Sequence, residues 1–247
     1  MKANKNFLPL IILVFIGFFI YAFNFSNPLF WDDDEWIKGN IFIHNFSYLK
    51  EIFTQNVEAG FGLESNYYRP LLLLSFVFNY LIHGIQPFGY HLLSNGIHIA
   101  NGILIFLLLS RFIGNRASFI AALLFLIHPV QTEAVTYISG RGDPMSVFFM
   151  LLALWFFIKF RNLETSLKRN LYIVGSFLFF IFALLSRETA ILFPLFLMIF
   201  YISFLSPDSK GIEDPRLQSN RDKEKFISAL KKSFIISLPF WTVSAIY

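Results

Sequence analysis

The chain has 247 residues, 56% hydrophobic and only 15% charged, with a mean hydropathy of +0.60. That balance excludes an ordinary soluble globule, and 34 phenylalanines add to the impression of lipid-facing surface. The absence of cysteine excludes disulfides and thiolate metal sites, while the net charge of +4 says less than its distribution along the chain.

Lys2 and Lys5 precede an apolar run over residues 7–23. The run is long for a signal-peptide core and has no small-x-small cleavage site, so it reads as a retained first helix with its N-terminus in the cytoplasm. Residues 24–89 then form the first extracytoplasmic loop. It opens on Phe30-Trp-Asp-Asp-Asp-Glu-Trp36, four consecutive carboxylates between aromatic residues. Later in the loop, Arg69-Pro70 opens an apolar run over 71–82, with proline suited to a first helical turn. The run is short for a span of about 20 residues, which makes it a helix lying at the outer interface.

Further apolar runs cover 90–110, 119–129 with its continuation, 144–160, 171–185, 190–205 and 234–247. The expected fold is all-α, a polytopic transmembrane bundle of about seven spans plus the interfacial helix. The charged segment 207–232 reads as a flexible cytoplasmic loop. The last run is still apolar where the sequence stops, so the chain reads as a piece of a longer protein, one membrane domain over residues 1–247. Charge distribution supports this topology. It assigns 15 of the 20 basic residues to the inner loops, and ten of the 16 acids to the outer ones. Letting 71–82 span would invert every later loop and separate the acidic cluster from Glu133, Arg141 and Arg187 by a bilayer.

Three outer loops then face one aqueous surface. The first supplies the acidic cluster and Tyr67-Tyr-Arg69. The second supplies His128-Pro-Val-Gln-Thr-Glu133 and Ser139-Gly-Arg-Gly-Asp143, and the third Ser186-Arg-Glu-Thr189. Carboxylates can take a proton from an acceptor hydroxyl, and arginine can grip a phosphate leaving group. The combination suits transfer from a phosphate-bearing lipid whose tail lies among the helices. Each residue also has a plainer role. Asp34 and Glu35 read as solvated loop acids, Asp143 as a helix cap before Pro144, Arg69 and Arg187 as interfacial anchors, and Glu133 as a structural hydrogen-bonding group. His91, Asn95 and His98 share one helix face, which favours interhelical hydrogen bonding over a metal site. No Gly-rich phosphate loop, nucleophile elbow or zinc spacing is present, and nothing points to nucleic acid.

Six segments together resemble a known family: Phe30-Trp-Asp-Asp-Asp-Glu-Trp-Ile37, Tyr67-Tyr-Arg-Pro-Leu-Leu72, Gly89-Tyr-His-Leu-Leu-Ser-Asn95, His128-Pro-Val-Gln-Thr-Glu-Ala-Val135, Ile138-Ser-Gly-Arg-Gly-Asp143 and Leu184-Leu-Ser-Arg-Glu-Thr-Ala190. The chain resembles the N-terminal membrane part of polyprenol-phosphate-sugar-dependent glycosyltransferases of the GT-C fold. It looks most like the transmembrane and tetratricopeptide-repeat O-mannosyltransferases. The resemblance implies a dolichyl- or polyprenyl-phosphate sugar donor, mannose among the candidates, and inversion at the sugar carbon. It implies a protein Ser/Thr or glycan acceptor, and an active site on the extracytoplasmic face of a cell or endoplasmic-reticulum membrane. It also implies a catalytic acidic pair, Asp32 and Asp33, with Asp33 preferred as base. Arg187, with Arg69, Glu133 and Arg141, would contact substrate and lipid phosphate. Where such proteins carry Lys-Glu after the fifth helix, this chain has Arg187-Glu188; no metal ligand is assigned, and a need for divalent metal stays open. No tetratricopeptide repeats follow, so this piece is expected to be inactive alone. The competing reading is a non-catalytic scaffold, or a protein that binds or transports a lipid-linked sugar.

Overall fold

Proline and glycine divide the apolar sequence into helices whose lengths settle what each can do. The computed structural model describes residues 7–164, 167–206 and 219–247, among which every regular element is helical. Lys2, Lys5 and residues 207–218 of the expected cytoplasmic loop lie outside the described residues. The helices are α1 (Phe7–Ile20), α2 (Leu49–Thr54), α3 (Pro70–His83), α4 (Pro87–Leu109), α5 (Asn115–Ile127), α6 (Thr132–Thr136), α7 (Gly142–Arg161), α8 (Leu167–Ser186), α9 (Phe193–Phe200) and α10 (Ser219–Ile246). Short 3-10 and π turns join them. The chain divides into two units, Met1–Thr189 and Ala190–Tyr247.

Five helical stretches are long and apolar enough to cross a membrane: Pro87–Leu109, Ser139–Arg161, Leu167–Ser186, Glu188–Leu205 and Phe226–Ile246. Asn115–Ile127 and Pro129–Thr136 make a sixth if their 49° bend lies within one span. The bend follows from the sequence, because His128 must be extended before Pro129, which cannot continue the helix's hydrogen bonding. The seventh expected span is α1. Its 14 described residues reach about 21 Å at 1.5 Å per residue, and they begin at the first described residue of the chain. The chain tightens after it into a 3-10 turn, Ala22–Ser26. α3 is equally short, in keeping with a helix that does not span.

In the first unit α3 is the centre of a hydrophobic core that it builds with the loop before it. Its Leu72, Leu73, Phe76 and Val77 pack against Trp36, Ile37, Phe42, Ile43, Ile52 and Val57 of the preceding loop. A large side chain moved from water into such a core contributes about 1.5–3 kcal/mol. Among the spans, close packing and hydrogen bonding take over from that driving force. Gly17 of α1 lies so near Ile99 of α4 that a Cβ would come within 2.7 Å of its Cγ1. Part of the polar face of α4 bonds to its neighbours. His98 Nε2 lies 3.2 Å from the Leu126 carbonyl, and the Asn101 amide donates to the Pro144 carbonyl at 2.8 Å. His91 bridges the Asn24 side chain at 3.0 Å and the Asn27 carbonyl at 3.2 Å. Of the three residues expected to bond between helices, His98 does so with α5 and His91 bonds the turn after α1, whereas both polar side-chain atoms of Asn95 are buried without a partner among the described residues. α7 and α8 form a hairpin, with the Ser176 hydroxyl donating to the Ala153 carbonyl at 2.8 Å and Phe149, Phe156, Phe179 and Phe182 interleaved between them.

In the second unit α9 packs on α10, with the Phe193 ring edge-on to Phe240 at 5.4 Å.

Candidate active site

The acidic turn is built on an unusual backbone. Trp31 has φ of 51°, a left-handed conformation that a bulky residue adopts only when its surroundings enforce it. The turn closes by hydrogen bonds from the Asp33 N–H to the Phe30 carbonyl at 3.1 Å and from the Asp34 N–H to the Trp31 carbonyl at 3.0 Å. A π-helical turn, Asp34–Gly39, follows and buries Trp36 and Ile37 in the α3 core. This geometry sends neighbouring acids to different places. Asp34 and Glu35 are exposed, and Asp34 pairs with Lys38 at 2.6 Å along the π turn, in line with their reading as solvated acids.

Asp33 is buried, with 1% of its surface exposed. Its Oδ1 accepts two hydrogen bonds from Ser139, from the N–H at 2.8 Å and from the hydroxyl at 2.5 Å. Burial pushes the Asp33 carboxyl above the usual carboxylate range, and the hydrogen bonds from Ser139 oppose that push. Asp32 is exposed, and its N–H donates to the Tyr137 hydroxyl at 3.2 Å.

The two acids front different cavities. Asp33 lines an apolar one of about 560 Å³ with Pro28, Phe30, Trp31, His91 and Tyr137. A further cavity of about 380 Å³ shares its Asn27, Thr132 and Thr136 walls and runs along Ile20, Tyr21 and Phe23. Asp32 lines a polar cavity of about 370 Å³ with Arg69, Glu133, Asp143 and Arg187. Glu133 and Tyr137 belong to both cavities and form the partition between them.

The cations of the polar cavity already have carboxylate partners of unequal quality. Arg69 Nε and Nη2 reach both oxygens of Glu188, at 2.9 and 2.5 Å, and its guanidinium lies 4.6 Å from the centre of the Tyr67 ring. Arg187 meets Asp143 through Nη1 at 2.6 Å, and among the described residues its buried Nε has no hydrogen-bond partner. Gly142 makes this second contact possible. A Cβ there would come within 3.1 Å of the Ser186 carbonyl, so a larger residue would push the start of α7 away from the end of α8.

Arg141 has a different environment from the one expected of a phosphate ligand. It is fully buried and lines neither cavity. Nε donates to the Ser94 hydroxyl at 3.0 Å, Nη1 to the Ser75 hydroxyl at 3.1 Å and Nη2 to the Tyr90 carbonyl at 3.0 Å, with the guanidinium over the Phe76 ring. Its donors fasten the turn that carries Ser139 onto α3 and α4. The structure therefore brings Asp32, Arg69, Glu133 and Arg187 to one cavity, sets Asp33 in the next, and withdraws Arg141 from both. Tyr137 and Ser139 are the contacts the sequence reading missed. Ser139 belonged to a segment already singled out, whereas Tyr137 is one of ten tyrosines with no local signal to mark it. Among the described residues no three His, Asp or Glu side chains converge as a metal-binding group.

This is a multi-pass, all-helical membrane protein in which acids and arginines meet in cavities at the helix ends. The family described as dolichyl-phosphate-mannose-protein mannosyltransferase matches residues 82–210, just over half of the sequence, and the chain belongs to it. Protein O-mannosyl-transferase TMTC3 of Mus musculus is 32% identical over 169 residues, covering 67% of this chain and 18% of that protein. The Homo sapiens TMTC3 is 31% identical over the same shares, and Xenopus laevis tmtc2 is 44% identical over 93 residues, 37% of this chain and 11% of its own length. The chain thus spans less than a fifth of these relatives. No solved structure matches it.

Proposed function

We propose that this chain carries the catalytic face of a membrane glycosyltransferase. It moves a sugar, mannose by the family's description, from a dolichyl- or polyprenyl-phosphate donor to a Ser or Thr hydroxyl of a protein on the extracytoplasmic side. The observation that carries the reading is the polar cavity that Asp32 shares with Arg69 and Arg187, beside an apolar cavity suited to the lipid end of the donor. The family description and the names of the relatives support the same donor and acceptor classes.

The chemistry is a single displacement. The acceptor oxygen attacks the anomeric carbon while its proton passes to a carboxylate. The bond from that carbon to the phosphate oxygen breaks, and its electron pair leaves with the lipid phosphate, whose growing charge arginine holds. Attack opposite the leaving group inverts the sugar carbon. Between the two acids, exposure and company favour Asp32 as base, because it faces the cavity of the arginines while Asp33 is enclosed and held by Ser139. This exchanges the roles that the resemblance suggested for the pair. Arg187, with one exchangeable contact and a spare donor, is assigned to the phosphate, and Arg69 holds Glu188 in place. Arg141 is assigned no contact with substrate.

The test is transfer by the full-length protein, reconstituted in lipid with polyprenyl-phosphate mannose and a Ser/Thr peptide. Asp32→Asn abolishes turnover while donor binding persists. Undiminished transfer by that variant removes Asp32 as base. Tight donor binding by the wild type with no turnover favours the scaffold reading instead.

A further inference from the structure

α7 carries Asp143 of the polar cavity in its first turn and Lys159 and Arg161 in its last. At about 1.5 Å per residue, its 20 residues put the two ends about 30 Å apart. The sequence around the far end is basic: segments 110–118 and 157–170 hold Arg111, Arg116, Lys159, Arg161, Lys168 and Arg169 against one acid, Glu164. Two of these cations share one indole. The Arg111 guanidinium, just past the end of α4, lies over the Trp155 ring of α7, 3.8 Å from its centre, and Lys159 Nζ is 5.9 Å from the same centre. Neither side chain makes an ion pair or a hydrogen bond among the described residues. The cations of the polar cavity differ, since Arg69 and Arg187 each meet a carboxylate. Like charges gathered on one ring repel, and the ring's negative face offsets only part of that cost.

We propose that Arg111, Trp155 and Lys159 form a binding site for the headgroup of an anionic phospholipid, at the helix ends opposite to the candidate active site. A guanidinium lying over a ring keeps its N–H edge for phosphate oxygens, and the lysine adds a second positive charge beside it. The indole holds the two cations together before any lipid arrives, so little ordering is left to be done on binding. Position selects a lipid as the source of the phosphate. Trp155 lies within the span Ser139–Arg161, about one turn before Lys159. An anion on the two cations therefore has apolar helix surface on one side and the polar helix ends on the other. That setting suits a headgroup whose acyl chains run along the spans, and basic groups between spans favour anionic headgroups over zwitterionic ones. The inference stands apart from the choice of catalytic base.

The experiment places the full-length protein in phosphatidylcholine vesicles with rising shares of phosphatidylglycerol whose brominated chains quench nearby indoles. Brominated phosphatidylcholine is the reference lipid. Trp155→Phe, measured in parallel, isolates the Trp155 signal from those of Trp31, Trp36 and Trp241. In the wild type, phosphatidylglycerol quenches Trp155 at a share roughly 5-fold or more below that of phosphatidylcholine, and added salt weakens the preference. Arg111→Gln combined with Lys159→Gln lowers the preference by roughly 5-fold or more. Arg116→Gln combined with Lys168→Gln removes the same charge from the same end and leaves the preference within about 2-fold of the wild type. Equal quenching by the two lipids in the wild type overturns the proposal without any variant. An equal loss in both double variants also overturns it, because the attraction is then a diffuse surface charge. Inorganic phosphate, added against chloride at matched ionic strength, leaves the preference in place; if it abolishes the preference, the site takes a soluble anion and the lipid assignment fails.

Discussion

Replacing Asp33 separates its structural role from catalysis, because Asn and Ala remove different things. Asp33→Ala deletes the acceptor of both Ser139 bonds, at 2.8 and 2.5 Å, in a place with 1% exposure. Hydrogen bonds to a charged group contribute about 1.5–3 kcal/mol each, and relief of a desolvated charge offsets part of the loss, which leaves a net cost of about 2–4 kcal/mol. Asp33→Asn keeps an oxygen where Oδ1 stands and removes the buried charge, so it unfolds within about 1 kcal/mol of the wild type. Burial raises the folded carboxyl above its unfolded value, so the folded chain binds that proton more tightly. Stability is therefore lost as pH rises from the unfolded value to the raised folded one, and none of this penalty is present below both. Asn is free of it, so its advantage over the wild type is greatest at neutral pH and vanishes on acidification. Thermal unfolding of the purified protein between about pH 4 and 7 checks this, with Asp33→Ala melting at least about 4 °C below the wild type. Transfer assayed in parallel survives Asp33→Asn. A variant that melts like the wild type yet transfers nothing refutes the assignment and makes Asp33 the base. An Asp33→Ala protein of undiminished stability refutes the clasp.

Three further changes probe the surrounding charges. Arg141→Lys keeps the charge but cannot reach Ser94, Ser75 and the Tyr90 carbonyl together, and it costs about 2–4 kcal/mol in thermal unfolding; a wild-type melt contradicts the anchoring role. Arg187→Ala raises donor KM by roughly 10-fold or more in steady-state transfer, since it removes a charged phosphate contact; an unchanged KM takes Arg187 out of the donor site. Asp143→Asn frees Arg187 from its one carboxylate contact and lowers donor KM, and a raised KM shows that Asp143 orients Arg187 instead of competing for it.

The helical architecture was legible because its causes are local. Apolar run lengths mark the spans, His128-Pro129 marks the bend, and the spacing of His91 and His98 marks a face that bonds to its neighbours, though Asn95 between them makes no such bond among the described residues. The length of α1 was less legible, since residues 21–23 are apolar yet lie beyond the α-helix. The polar residues could be gathered to one end of the bundle but not sorted there. Asp32 and Asp33 are adjacent and chemically identical, and only the left-handed Trp31 and the position of Ser139 send one to the arginines and the other into the wall. Arg141 and Arg187 each sit in a short polar turn, and nothing local distinguishes them. The acceptors that enclose Arg141 come from Ser75, Tyr90 and Ser94, distant in sequence. Contacts of that range depend on how α3 and α4 pack, which no motif encodes.

The unequal pairing of the two cavity arginines has an electrostatic rationale. A guanidinium near a low-dielectric region is costly without a counter-charge, so each has a carboxylate before any ligand arrives. Arg69 is nearly buried, and two bonds to Glu188 satisfy the planar fork that such burial demands. The Arg187 side chain is 25% exposed and Asp143 39%, and a single contact so open to water contributes at most about 1 kcal/mol. An arriving phosphate monoanion can displace Asp143 at that small cost and can also use the vacant Nε, which the carboxylate leaves unsatisfied. On the proposed reading the site keeps one arginine committed to architecture and the other poised for exchange. Arg187 then keeps an anionic partner throughout, first Asp143 and then the donor phosphate, and Asp143 returns to it when the lipid phosphate departs.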